Sequence, residues 1–381
     1  MGMRIAQIAP LIEAVPPKLY GGTERVISWL TEALVAQGHD VTLFASGDSE
    51  TSANLVSGWP RALRLDGNVS DPNALHMAML ETVAQRARDF DLLHFHLDYY
   101  PFSLFSRLST PFVTTLHGRL DLPEHRCVFE AFPKAPVISI SQSQRSLLPT
   151  APWAGTVLHG MREDLLSPVK TTPSYLAFLG RISPEKGIER AIRVARRSGI
   201  PLKIAAKVDK ADHDYFEEIV RPMLIGPGVE FIGEISDSEK AAFLSEAVGL
   251  LMLIDWPEPF GLVMIEAMAC GTPVIAFGLG AVPEIIDDGA TGFVVANEDA
   301  AVEAVEKLLT LPRANIRPQF ERRFTSRRMA DDYLDIYADV IDAAGRGVRR
   351  NGSVYPWPAS GPGAPQRHVH HQWEGVRGPS D

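Results

Sequence analysis

Two glutamates stand eight positions apart in Glu258-Pro259-Phe260-Gly261-Leu262-Val263-Met264-Ile265-Glu266. Carboxylates accept hydrogen bonds from hydroxyls, so a pair placed around a helix start suits a polyhydroxylated ligand that carries phosphate. The apolar run Leu250–Ile254 reads as a strand, Trp256–Pro259 as the loop leaving its carboxyl end, and a helix begins near Phe260. First-turn amides at Phe260, Gly261 and Leu262 then offer donors to an anion, and Gly261 lets it come close. Glu266 is flanked by Ile265, Ala267, Met268 and Ala269, so its carboxylate should be partly buried and in need of partners. The plainer reading makes Glu258 a first-turn charge serving the helix dipole and Glu266 an exposed helix position. The apolar neighbours weigh against the second half of that reading.

Other residues fit the same ligand. In Phe178-Leu179-Gly180-Arg181-Ile182-Ser183-Pro184-Glu185-Lys186-Gly187 a strand ends at Gly180, and two cations five apart flank a helix entrance. Arg181 and Lys186 could neutralise charge growing on a departing diphosphate; alone, they could equally be solvated turn charges. Lys18-Leu19-Tyr20-Gly21-Gly22-Thr23-Glu24-Arg25 follows the first strand and opens a helix. It is not the GxGxxG of a dinucleotide fold, which counts against an oxidoreductase. Thr114-Thr115-Leu116-His117-Gly118 ends another strand with a histidine. His94 and His96 alternate on one strand and read as structural, since no third metal ligand accompanies them. Asp287-Asp288 and Asp331-Asp332 do not sit at strand ends, and no metal is assigned to them.

Short apolar runs alternate with amphipathic stretches along the whole chain. Strands are expected at Arg4–Ala9, Asp40–Ala45, Leu92–His96, Phe112–Leu116, Val137–Ser141 and Thr156–His159. Their near-continuous apolarity is that of parallel strands covered on both faces. Glu24–Gln37 shows helical spacing and stops at Gly38. After an aperiodic, proline-bracketed linker at Leu165–Ser174, the rhythm restarts. Strands are then expected at Leu176–Gly180, Leu202–Ala206, Val229–Ile232, Gly249–Ile254, Val274–Ala276 and Gly292–Val295. Helices are expected at Glu185–Ser198, Ser236–Ala247, Gly261–Ala269, Asp299–Leu309 and Ser326–Ala343. Two doubly wound α/β sheets follow from this pattern. From Gly345 the composition turns to Gly, Pro, Arg and His, and Gly352–Asp381, with His368, His370 and His371, reads as a solvated, disordered tail.

Bulk properties narrow the class. A chain of 381 residues suits two ordinary domains, and 37 basic against 47 acidic residues give a net charge of −10. That balance disfavours nucleic acid as a partner. Two cysteines, Cys127 and Cys270, lie in no metal-like spacing and fit a reducing compartment. The start, Met1-Gly2-Met3-Arg4-Ile5, has no signal-peptide pattern, and no run reaches membrane-spanning length. The expectation is a cytoplasmic protein, with room for lateral contact at the inner membrane face.

The stretch Glu258–Glu266, continuing as Ala267-Met268-Ala269-Cys270-Gly271-Thr272-Pro273-Val274-Ile275-Ala276, closely resembles the retaining glycosyltransferases of family 4 (glycosyl transferases group 1). The resemblance covers about residues 3–343 and implies the GT-B fold, two Rossmann-like domains facing a cleft. It implies an acceptor-side domain at 1–168, a nucleotide-sugar domain at 174–325, and a helix at 326–344 packing back on the first; the tail 345–381 lies outside it. By resemblance, Glu258 would bond hydroxyls of the donor sugar and Glu266 the donor ribose. Arg181 and Lys186 would meet the diphosphate, together with Gly21, Gly22 and the amides of Phe260, Gly261 and Leu262. His117 would sit beside the donor sugar. Val282-Pro283-Glu284-Ile285-Ile286 and Asp288-Gly289-Ala290-Thr291-Gly292-Phe293 match the family's closing segment, with Glu284 near the nucleotide or simply a cap. One departure is Ala205-Ala206-Lys207-Val208-Asp209, where relatives often have a glycine-rich turn.

The implied activity is retaining, metal-independent transfer of a hexose from a nucleotide-diphosphate sugar, UDP favoured, to a hydroxyl acceptor. No cofactor is implied. The alternatives are another GT-B enzyme, such as an epimerase or phosphorylase, or a non-catalytic sugar-nucleotide-binding subunit. Aromatics in the loops Ala14–Tyr20 and Asp98–Phe102 (Tyr20, Tyr99, Tyr100, Phe102) could meet the acceptor or simply pack.

Overall fold

Thirteen strands form two separate sheets in the computed structural model, which describes residues 2–18 and 21–348. Tyr20 and the tail segment 352–381 therefore lie outside the described residues. In the first half the strands are β1 (Arg4–Ile8), β2 (Asp40–Ser46), β3 (Asn54–Trp59), β4 (Leu92–Phe95), β5 (Phe112–Thr115), β6 (Val137–Ser139) and β7 (Trp153–Thr156). The second half has β8 (Tyr175–Arg181), β9 (Leu202–Lys207), β10 (Val229–Gly233), β11 (Ala247–Met252), β12 (Val274–Phe277) and β13 (Gly292–Val295).

The orders are β3-β2-β1-β4-β5-β6-β7 and β10-β9-β8-β11-β12-β13, with parallel neighbours throughout. Strand order reverses between β1 and β4 in one sheet and between β8 and β11 in the other. A parallel sheet has its ligand crevice at the carboxyl ends beside such a reversal. The expected two-sheet α/β architecture is therefore the observed one.

Most expected strands lie within two residues of their observed bounds, because inward-facing Val, Ile, Leu and Phe are buried from both sides. Two differ. Asn54–Trp59 was not expected; it is an edge strand, mostly exposed, and lacks the apolar run of a central one. Thr156–His159 was expected as a strand, but the ladder is Trp153–Thr156. Val157 and His159 are buried instead at the junction between the halves, where the Arg328 guanidinium donates to the carbonyls of Leu158 (2.8 Å) and His159 (3.0 Å). Pairing ends at Val157, whose N–H donates to Ser139 O (2.9 Å), and the apolarity beyond it reports packing at the junction. Helices at Pro72–Gln85, Pro123–Ala131 and Ile316–Arg323 were also not expected.

The chain passes between the halves twice, and the two crossings bond each other: Met161 N–H to Phe324 O (2.9 Å) and Ser326 N–H to Met161 O (2.8 Å). The aperiodic linker is held by Arg317, which donates to the carbonyls of Leu166 (2.5 Å) and Ala269 (2.8 Å). After the second crossing, the helix Ser326–Val348 lies on the first sheet. Its Tyr333 and Tyr337 are fully buried and bond Thr115 (3.0 Å) and His94 (2.6 Å). Gly155 and Gly160 make the fit: a Cβ at Gly155 would stand 2.4 Å from Ile336 Cδ1, and one at Gly160 2.1 Å from Thr325 O.

Met329, fully buried on this helix against Gly160, tests that packing. Met329→Ala should cost about 2–5 kcal/mol, read as a lower urea midpoint. An unchanged midpoint would show that the helix contributes nothing to the first half's stability.

Candidate active site

The ends of β1, β5, β8 and β11 all open onto one cleft of about 600 Å³ between the two sheets. Gly21, Gly22 and His117 line it from the first half; Arg181, Lys186, Glu258, Phe260, Gly261, Leu262 and Glu266 line it from the second. The structure thus brings the ten residues proposed for catalysis and donor binding to one cleft, while Glu284, Tyr99, Tyr100 and Phe102 do not line it.

Two helices point their amino ends into this cleft. Gly22–Ala36 follows β1, and Leu262–Ala269 follows the loop after β11. They nearly touch, since a Cβ on Gly22 would stand 3.7 Å from Leu262 Cδ1. Each end carries unpaired donors and partial positive charge. Gly261 has φ +88°, and a Cβ there would meet Met252 and Met264 methyl carbons at 2.8 and 2.9 Å. Only glycine holds this turn. The helix begins at Leu262, one residue after the expected Gly261, and Phe260 turns its side chain inward against His159 (4.8 Å) and Phe324 (6.3 Å).

The cations arrive from the β8 turn. Lys186 Nζ lies 2.5 Å from Glu258 Oε2 and 5.1 Å from the Trp256 ring centre. Arg181 pairs with Glu185 (2.9 Å), with Asp209 and Asp212 at 3.8 and 3.7 Å. Gly187, at φ +77°, lets this turn approach β11's exit: a Cβ would fall 2.0 Å from Leu253 O. Lys207, at the departure from the family pattern, bonds Asp209 at 2.9 Å and lines the same cleft.

Glu266 is buried, as its apolar flanks imply, and its partner is Lys240 at 2.7 Å. Lys240 also reaches Asp237 at 3.1 Å, and Asp237 pairs with Arg25 of the first half's opening helix. Burial by itself would lower the Lys240 ammonium, but Glu266 and then Asp237 outweigh it and hold it above the usual lysine range. An ionic chain thus crosses the cleft from Arg25 to Glu266. Lys240, Asp237 and Arg25 escaped the sequence reading. The one available signal was that a buried Glu266 requires a cation, and spacing alone does not say which.

Two more bridges join the halves. Ser141 Oγ donates to Pro259 O (2.7 Å), and Glu284 accepts from the Gln142 and Ser143 amides (2.8 and 2.7 Å). Glu284 is therefore a cap, but of a helix in the other half. On the β5 end, Gln144 donates to the carbonyls of Leu116 and Gly118 (2.8 Å each) and so grips the His117 turn from both sides. Gln144 also was not singled out by sequence.

Burial pushes the His117 imidazole down to about 3, so it is neutral at any ordinary pH. His117 faces His159 at 5.3 Å and bonds His96 Nδ1 through its Nε2 at 2.8 Å. His94 and His96 are fully and almost fully buried; His94 bonds Thr115 and Tyr337, and His96 bonds Gln7 and His117. Among the described residues, no three of His, Cys, Asp or Glu are placed to hold a metal, and no helix is long and apolar enough to cross a membrane.

With this geometry in hand, comparisons with known proteins are specific. A family model described as glycosyl transferases group 1 matches residues 166–325, and one described as glycosyltransferase family 4 matches residues 20–166. Together they span residues 20–325, and the chain belongs to this family of glycosyltransferase enzymes. An uncharacterized glycosyltransferase of Methanocaldococcus jannaschii is 24% identical over 89% of this chain and 100% of its own. Glycogen synthase of Mycobacterium tuberculosis is 31% identical over 48% of this chain and 45% of its own. Against several curated relatives the match spans about half of the relative's length. Among solved structures, sucrose-phosphate synthase from Thermosynechococcus elongatus shares the fold with a TM-score of 0.74 at 21% identity, covering 90% of this chain and 100% of that one. Anabaena HepE, solved with UDP and glucose, shares it at 0.67 and 16% identity, covering 88% and 99%.

Glu24, on the first turn after the paired glycines, is buried, and its carboxyl is pushed up to about 7 by burial, with Glu13 adding to the shift. A raised carboxyl contributes stability that is full below its ordinary 4.5 and lost as pH rises through about 7. Unfolding free energy should therefore fall between pH 5 and 8 by on the order of 3 kcal/mol more in the wild type than in Glu24→Gln. Parallel pH profiles of the two proteins in urea would contradict this.

Proposed function

We propose that the chain transfers a hexose from a nucleotide-diphosphate sugar, UDP favoured, to a hydroxyl acceptor, with retention at the anomeric carbon and without a metal. The observation that carries this is the meeting of two helix amino ends, Arg181 and Lys186 around one cleft wall that also holds Glu258 and Glu266. A diphosphate neutralises those ends. The ribose then lies toward Glu266 and the transferred sugar toward Glu258 and His117. UDP and glucose in the HepE structure, which has the same fold, support this reading.

In the reaction the bond between anomeric carbon and β-phosphate oxygen breaks, and the acceptor oxygen bonds the same face of that carbon. The acceptor proton passes to the leaving phosphate. Lys186, Arg181 and the amides near Gly261 are already in place for the developing charge, so little reorganisation accompanies the step. Glu258 both holds Lys186 and presents its second oxygen to sugar hydroxyls. Of the two halves, the second binds donor and the first supplies acceptor contacts. The work takes place in the cytoplasm, with the inner membrane face open to contact.

Lys186→Ala and Glu258→Ala should each lower turnover of the cognate nucleotide sugar roughly 100-fold or more while leaving the fold intact, read as a cooperative thermal melt. Near-normal rates in both would overturn the reading. Lys240→Met leaves Glu266 buried without its cation, and should weaken donor affinity by roughly 10–100-fold, seen as a raised KM. An unchanged KM would show that Glu266 does not meet the donor. Incubation of sugar nucleotide alone separates transfer from epimerisation.

A further inference from the structure

Behind His117 lies a buried hydrogen-bonded chain that its position in the cleft does not by itself require. His117 Nε2 meets His96 Nδ1 at 2.8 Å, and His96 Nε2 meets Gln7 Oε1 at 2.8 Å. Gln7 Nε2 donates to the Tyr337 hydroxyl at 3.2 Å, and that hydroxyl lies 2.6 Å from His94 Nδ1. His94 Nε2 continues to Thr115 Oγ1 (2.7 Å), which lies 3.0 Å from the Tyr333 hydroxyl. Gln7, His94, Thr115, Tyr333 and Tyr337 are completely buried, and His96 is 3% exposed. At the far end, His117 lines the cleft, and its Nδ1 has no hydrogen-bond partner among the described residues.

Proton positions along this chain are not independent. A neutral imidazole carries one N–H, so each ring donates from one nitrogen and accepts at the other. The Gln7 carbonyl oxygen can only accept, so His96 carries its proton on Nε2 and presents a bare Nδ1. His117 must then donate from Nε2, which leaves its buried Nδ1 bare. On the other branch the Gln7 amide donates to Tyr337, Tyr337 to His94, His94 to Thr115 and Thr115 to Tyr333. In this sense every bond of the chain has one donor and one acceptor, and the Tyr333 O–H hydrogen and His117 Nδ1 are left over at its two ends. Turning the Gln7 amide over would reverse each bond and put a proton on His117 Nδ1.

We propose that Gln7 and His96 are positioning residues for His117. They fix its tautomer so that Nδ1, buried and without a partner in a residue of the cleft wall, keeps a bare lone pair to accept a hydrogen bond from a sugar hydroxyl that reaches it. The tautomer stands on the buried chain alone, while the sugar hydroxyl rests on the function proposed above. Burial keeps all three rings neutral, their imidazoles held below the ordinary range, so the arrangement does not depend on pH near neutrality. The anchor on Tyr337 gives the last helix a part in the site: it closes the polar chain at the end away from substrate.

The test uses the full chain labelled with ¹⁵N-histidine, read by two-bond ¹H–¹⁵N correlation, with the His117 signals assigned by their loss in His117→Gln. The proposal predicts a protonated Nε2 and a bare Nδ1 on His117 in the free protein. Gln7→Leu should give a mixed tautomer and lower kcat roughly 10–100-fold, with UDP affinity within about twofold of wild type. Gln7→Glu, whose carboxyl can again accept from His96, should restore the tautomer and most of the rate. A proton on His117 Nδ1 in the wild type would overturn the proposal, as would Gln7→Leu with unaltered tautomer and rate. Should Gln7→Leu not fold, the wild-type spectrum and Gln7→Glu still decide. If no nucleotide sugar is turned over, the proposed function falls while the spectrum still reads the tautomer.

Discussion

Two helix amino ends of like sign face each other across the cleft, at Gly22 and at Leu262. Parallel sheets make this arrangement hard to avoid. Each sheet puts its helix amino ends at the carboxyl edge of its strands, and two sheets set edge to edge bring those ends together. Arg181 and Lys186 add positive charge to the same wall. Such a concentration is stable only because carboxylates are threaded through it: Glu258 against Lys186, Glu185 against Arg181, and Glu266 against Lys240. A bound diphosphate would take over part of that neutralising role, which frees carboxylate oxygens for sugar and ribose hydroxyls.

The rest of the molecule holds these charges at their separations. Glycines at 187, 261 and 280 let turns pass close to one another; a Cβ on Gly280 would fall 2.3 Å from Glu258 O. Polar bridges across the junction, from Arg25, Ser141 and Glu284, fix one half against the other at the height of the site. Exposed pairs of this kind are individually weak. Here the Arg25–Asp237–Lys240–Glu266 chain is largely shielded, so its geometry matters to donor recognition more than its net energy matters to folding.

Much of this was legible in the residues. Apolar strand runs gave both sheets, since parallel strands buried on two faces leave an unmistakable pattern in sequence. The edge strand Asn54–Trp59 left none, because exposure on one side removes the apolar signal. Val157 and His159 misled for the opposite reason, being buried at and beyond the end of the ladder. The cleft residues announced themselves through local spacing: Glu258 to Glu266, Arg181 to Lys186, the glycines at 21 and 22. Their partners did not. Lys240 lies 26 positions from Glu266, Gln7 lies 89 from His96, and Glu284 lies 141 from Ser143. Contacts of that range are set by the way two sheets close, which no window of sequence contains.

The central claim is that the meeting helix ends and their cations are a diphosphate site. Calorimetric titration of the intact chain with a nucleoside, its monophosphate and its diphosphate measures this directly, in uridine, adenosine and guanosine series. The account predicts that in one series the diphosphate binds roughly a hundredfold or more tighter than the bare nucleoside, with the gain reduced at high salt. Equal affinity for nucleoside and diphosphate in every series would contradict it.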